Sequence, residues 1–269
     1  MSKKPSPWLF LYYLVLLVLL YLPIVILFLF SVNDGIAFTF PMKGVTGHWY
    51  QDMLRNRELL EALRNSAIVA LSSSAAASLI GAAAAIALMR FKLRGRSVFI
   101  AVAVLPLLVP FLILGVALLI LFSSLNIERS LVTIAIAHTI VAFPYALLIL
   151  MARLADFNPF IEEAAQDLGA TYFYTLRKVI MPILAPTILA AWLVAFTVSF
   201  DEYVLASFLN GGSPTLPVYI LGQMRFANRF PQVIALAVVV MVASLSLLLL
   251  AESLRRGGAK TELKPVEPG

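Results

Sequence analysis

EEAAQDLGATYFYTLRKVIMP, residues 162–182, is a polar, helix-forming insert with an apolar run on either side, Leu131–Met151 before it and Ile183–Phe200 after it. Asn158-Pro159 just upstream is a helix start, because Asn caps and Pro suits the first turn. Glu162 and Glu163 then fall near the positive end of the helix dipole, where carboxylates are favoured. Phe160, Ala164 and Leu168 recur every fourth residue, with Ile161 and Ala165 beside them, so one face is apolar and its middle is alanine. Gly169 ends the helix at the first left-handed position. A second short helical stretch follows, and Pro182 marks entry into the next apolar run. Two readings of the insert stand at this point: a rigid projection that meets another protein, or a helix resting on lipid headgroups.

The rest of the chain sets the solvent. Of 269 residues, 62% are hydrophobic and 13% charged, and the mean hydropathy is +0.97. Soluble domains run at about 45–50% apolar and about 25% charged, so this composition predicts a membrane protein. With no cysteine and two histidines, His48 and His138, there is little material for disulfides, metal cages or thiol and imidazole catalysis. The net charge of +6 is gathered at the ends of apolar runs, where it sets membrane orientation rather than binding nucleic acid.

A span takes about 20 apolar residues. The sequence predicts an all-α membrane protein with six spans, at about 8–30, 67–89, 98–122, 131–151, 183–206 and 233–251. The first apolar run is too long for a signal peptide and no cleavage site follows it, so a retained anchor is expected. Prolines inside the spans, Pro106 and Pro110 among them, argue little against helices, because neighbours re-satisfy the backbone. With the N-terminus inside, 13 of the 20 Lys and Arg residues face the cytoplasm, led by the turn FKLRGR at 91–96. Both termini and the insert are then cytoplasmic. Residues 1–256 are expected to form one transmembrane domain with the insert at 158–182, and residues 257–269 a flexible cytoplasmic tail.

Two further patterns stand out. In the second span Ser73, Ala77, Gly81 and Ala85 lie four apart, a stripe that lets helix backbones approach closely, within the chain or between subunits. In the first outer loop, apolar residues from Trp49 onward (Tyr50, Met53, Leu54, Leu59, Leu60, Leu63) recur among charges and predict an amphipathic surface helix.

The run Glu163-Ala164-Ala165-x-x-x-Gly169, then nine residues, then Val179-x-Met181-Pro182, resembles the "EAA" signature of binding-protein-dependent ABC transporter permeases. Val179 and Met181 depart from it conservatively, where the family has Ile and Leu. Softer likenesses at FSVNDGIAFTFPMKGVTGHWY, SFDEYVLASFLNGG and TLPVYILGQMR are to the permease components of spermidine/putrescine importers, and permeases for other small solutes share parts of them, which leaves an importer of another small solute as the alternative. The resemblance implies a type I importer fold whose insert, between spans four and five, is a coupling helix docked on a cytoplasmic ATPase dimer. Glu162, Glu163, Ala164, Ala165, Gly169 and Pro182 would carry that contact. It also implies a second homologous permease subunit, an extracytoplasmic solute-binding protein, and ATP and magnesium held by the partner ATPase. The chain itself has no G-x-x-x-x-G-K-[ST]; GGAKT at Gly257 lacks the spacing.

The substrate pathway is expected at Asp201 and Glu202, which close the fifth span after 18 uncharged residues, with Tyr203 and Trp192 as cation–π partners for a cationic amine. The competing reading of the carboxylates is structural, as a helix cap or as partners of Arg225 or Arg229. An intramembrane enzyme is disfavoured by the absence of H-E-x-x-H, G-x-S-x-G and cysteine, with His138 read as a packing or hydrogen-bonding residue lacking a carboxylate neighbour. A stand-alone channel or ion-coupled carrier would place more ionisable groups in its spans and has no use for the insert.

Overall fold

The computed structural model describes residues 7–36, 39–158 and 160–259. Twelve α-helices follow in order: α1 Pro7–Ser31, α2 His48–Arg55, α3 Arg57–Arg90, α4 Arg96–Leu108, α5 Phe111–Ser124, α6 Leu131–Ala155, α7 Phe160–Asp167, α8 Tyr172–Thr175, α9 Met181–Phe200, α10 Val204–Leu209, α11 Leu216–Gln223 and α12 Phe230–Ala259. Among the described residues the only β-pairing is the isolated bridge Asn33–Val45.

Among the described residues, four helical stretches are long and apolar enough to cross a membrane: Trp8–Ser31, Arg57–Arg90, Leu131–Ala155 and Tyr172–Phe200. The expected third span is not one straight helix. It breaks into α4 and α5, bent by 106°, and counting that pair as one span brings the number to five. The cause is local. Val109 precedes Pro110, the Pro ring disfavours helical geometry for the residue before it, and Val109 is extended at φ −82°, ψ 128°. The sequence reading underweighted this proline, although Pro23, Pro106, Pro144 and Pro186 do sit inside helices. The expected sixth span lies in α12, of which Phe230–Ala243 is apolar among the described residues. Side chains from 247 on, and the expected tail over 260–269, lie outside the described residues.

The chain divides into two compact units. The first runs up to Arg57 and resumes at Ile220. In it α12 packs on α1 and α2, Trp49 Nε1 donates to the Asn33 carbonyl at 2.9 Å, and the Tyr50 hydroxyl donates to Ser31 Oγ at 2.7 Å. The expected surface helix starts here as α2 but stops at Asn56, which is extended at ψ 99°. Leu59, Leu60 and Leu63 belong instead to α3, a single helix of 34 residues.

The second unit, Glu58–Tyr219, holds α3 to α10. Its core pairs α6 with α9, with Leu147, Leu150 and Leu154 fully buried against Ile180 and Leu184. The small-residue stripe of α3 is an intrachain contact. Ala77 meets Ala142 of α6 and Ala195 of α9, and a Cβ on Gly81 would lie 3.0 Å from Ala146 Cβ and 3.2 Å from the Leu147 nitrogen. Without branched side chains between them the backbones close up, which is how spans gain van der Waals packing in lipid.

Candidate functional site

Two parts of the second unit carry chemistry, one at each end of α9. The first is the insert. Asn158 Oδ1 accepts from the Phe160 amide at 3.1 Å, which is the cap expected there; Pro159 lies outside the described residues. α7 ends in a Schellman turn: the Gly169 amide donates to the Gln166 carbonyl at 2.8 Å, the Ala170 amide to the Ala165 carbonyl at 3.0 Å, and Gly169 takes φ +87°. Thr171 Oγ1 then accepts from the Tyr174 amide and opens α8. α8 is not a separate element. It passes through a π-helical turn, Leu176–Ile180, directly into α9. Pro182 has no N–H to donate back to the Lys178 carbonyl, and the Met181 amide reaches five residues back, to Leu176.

The two glutamates of α7 face different ways. Glu162 is buried, and its Oε1 lies 2.6 Å from the Arg90 guanidinium at the end of α3. The approach is out of line with any N–H, so it is a charge contact rather than a directed hydrogen bond. The same guanidinium covers the Phe157 ring at 5.2 Å, and Phe91 meets Tyr172 edge-on at 5.7 Å. Glu163, Ala164, Gly169 and Pro182 are exposed and Ala165 half-buried. Around them Phe160 (69%), Leu168 (89%) and Phe173 (69%) stand open, beside a groove of about 500 Å³ lined by Ala165, Leu168, Gly169, Ala170, Thr171 and Tyr174.

The second part is the break between α9 and α10. Asp201 ends α9 and is exposed; Glu202 is buried; Tyr203, 37% exposed, precedes α10. Glu202 turns back onto α10, its Oε1 accepting from the Val204 amide at 2.8 Å and its Oε2 from the amides of Leu205 at 2.9 Å and Ala206 at 3.3 Å. His138 does have a carboxylate neighbour, contrary to the sequence reading: its Nε2 lies 3.3 Å from Glu202 Oε2, again off the hydrogen-bond axis. On its other side, Nδ1 lies 2.8 Å from Ser199 Oγ, which accepts from Ser73 Oγ at 2.8 Å. Ser199 bridges the His138 ring to Ser73, and Nε2 on the opposite edge of the ring faces the carboxylate. A serine, a histidine and a glutamate thus touch, all of them buried. Along α9, Trp192 (half-buried), Phe196 and Phe200 stack four apart, at 5.7 and 5.6 Å. Phe196 and Phe200 were missed from sequence, although the spacing was visible. Among the described residues no cluster of three or more metal-ligating side chains occurs.

A model of the family described as "binding-protein-dependent transport system inner membrane component" matches residues 77–257, and the chain belongs to that family. It is 33% identical over 242 residues to the spermidine/putrescine transport system permease protein PotC of Escherichia coli K12, covering 90% of this chain and 91% of that one. It is 34% identical over 246 residues to the putrescine transport system permease protein PotI of the same strain, covering 88% and 87%. In fold it is similar to a bacterial ABC transporter involved in the import of the acidic polysaccharide alginate. That match has a TM-score of 0.70 and 16% identity, covering 94% of this chain and 99% of the other.

Proposed function

We propose that this chain is a permease subunit of an ATP-driven polyamine importer, forming half of the pathway for a spermidine- or putrescine-like cation. The observation that carries the substrate class is the likeness over nine-tenths of the chain to permeases named for those amines. The alginate importer shares only the fold, and a fold does not fix a substrate.

In this reading the insert and both termini are cytoplasmic, and the insert is the coupling helix. Phe160, Leu168 and Phe173 on a short polar segment form the kind of exposed apolar patch that a partner covers. The partner is a cytoplasmic ATPase dimer, which supplies ATP and magnesium. Glu163, Ala164, Ala165 and Gly169 form the contact; Glu162 and Pro182 hold its shape from behind. A second, homologous permease subunit completes the pathway, and a soluble binding protein delivers the solute. Closure of the ATPases displaces α7, and because α8, the π turn and α9 are one continuous rod, the displacement reaches the far end of α9. Packing of α9 on α6 through alanines makes the change a switch between two arrangements.

At that far end, Asp201 and Tyr203 are the exposed groups offered to a cationic amine, with the ring of Trp192 further along α9. Glu202, buried between Asp201 and Tyr203, shapes the site rather than meeting the solute. The test is uptake of radiolabelled putrescine and spermidine by proteoliposomes holding the assembled transporter. ATP-dependent accumulation of either is expected, falling about tenfold in Asp201→Asn, the loss of one charge contact. Accumulation of neither, with ATP hydrolysis intact, would remove the polyamine assignment.

A further inference from the structure

The carboxylate, imidazole and two hydroxyls at the α9–α10 break link four helices: Ser73 from α3, His138 from α6, Ser199 from α9 and Glu202 at the start of α10. In an apolar bundle the pairing of such groups favours one arrangement; here His138 Nε2 meets the Glu202 carboxylate at 3.3 Å without a directed hydrogen bond. Exposure alternates sharply along it: Asp201 out, Glu202 in, Tyr203 out. In an irregular turn nothing periodic enforces this. What enforces it is the inward anchoring of Glu202, by three amides of its own chain and by His138 from across the bundle. The amides hold the carboxylate wherever α10 goes, whereas His138 ties it to α6. Ser199 fixes the ring, because its hydroxyl occupies Nδ1 and turns Nε2 toward Glu202.

We propose that His138 is a positioning residue of the translocation pathway: by holding Glu202 inward it sets the outward presentation of Asp201 and Tyr203. It meets no solute itself. The inference rests on the pathway reading given above and deepens it.

The test uses the complete transporter with its binding protein and ATPase, carrying His138→Leu or His138→Gln, with Asp201→Asn alongside. His138→Leu keeps the volume roughly but offers Glu202 nothing, whereas His138→Gln restores a donor. Uptake of radiolabelled putrescine at saturating concentration should fall about tenfold in His138→Leu, with ATP hydrolysis stimulated by the binding protein retained, and should recover substantially in His138→Gln. The second readout does not depend on the solute. The chain has no cysteine, so Tyr203→Cys provides a single thiol whose maleimide labelling rate should change severalfold between the His138 and His138→Leu backgrounds. If His138→Leu does not accumulate in membranes, His138→Ala takes its place in the labelling comparison, and the rate there should still differ severalfold from that of the native background. Unchanged labelling in every background, or normal uptake by His138→Leu when Asp201→Asn is impaired, overturns the proposal. Normal uptake by Asp201→Asn with altered labelling keeps the positioning role and removes the pathway reading instead.

Discussion

The two ends of α9 are built on opposite rules. At the insert, large apolar side chains face outward, and the charge pair Arg90–Glu162, with the contact of Phe91 on Tyr172, holds the segment at the end of α3. At the α9–α10 break, polar side chains face inward: Ser73, His138, Ser199 and Glu202 are all buried. Exposed apolar surface outside a span is unfavourable until a partner covers it. Buried polar surface is unfavourable until it is fully paired. In the reading proposed above, the first end therefore leaves apolar surface for another molecule to cover, whereas the second draws its contacts from within the chain. Substitutions should separate them: changes at the break cost the fold, and changes on the insert cost the partnership.

The largest effect on the isolated chain is expected for Glu202→Ala. It leaves the buried amides of Leu205 and Ala206 without acceptors and costs about 3 kcal/mol. Detergent-solubilised protein should melt several degrees lower, or the chain should fail to accumulate; native melting would break the contrast at its buried end. Arg90→Ala should cost about 2 kcal/mol, because Glu162 stays buried without its countercharge. The pair lies between α3 and α7, so the added signature is faster protease cleavage near Phe157, while Arg90→Met combined with Glu162→Met should recover part of the loss. Gly169→Leu places a side chain at φ +87° for about 1–2 kcal/mol, with open space around it. The protein should reach the membrane in normal amounts yet lose uptake and stimulated ATP hydrolysis together. Normal values of both would mean that the turn has no part in coupling. The smallest effect on stability, within about 0.5 kcal/mol, belongs to Leu168→Ser at an 89% exposed position. Even so, it should weaken co-purification with the ATPase, and a variant neutral on both counts would show that the patch has no partner.

How far the sequence could be read follows the same division. The insert was legible because its signals are local: Asn158 caps within two residues, Gly169 closes within four, and the apolar spacing falls inside α7. The small-residue stripe of α3 was legible too, being periodic, although its partners Ala142 and Ala195 were not. The break at Asp201–Tyr203 was half legible. The charges were plain, but the pairing of His138 with Glu202 joins residues 64 apart, and nothing in a single sequence marks such a distance. The bend at Val109–Pro110 was misread because membrane helices tolerate most prolines, and here four others are accommodated without a break of this size. The continuity of α8 with α9 was hidden by Pro182, which reads as a boundary but is accommodated by a π turn.

The central claim is that the outward surface of the insert is where the driving ATPase is held, and a single thiol can test it. In the otherwise cysteine-free chain, Leu168→Cys carrying a photoactivatable maleimide is illuminated in inside-out vesicles that hold the whole transporter. The account predicts a covalent adduct with the ATPase subunit, absent when the ATPase is stripped away, and no reaction of the same thiol with an impermeant maleimide added to intact cells. Labelling from outside intact cells, or illumination that yields no ATPase adduct in a transporting vesicle, would contradict it.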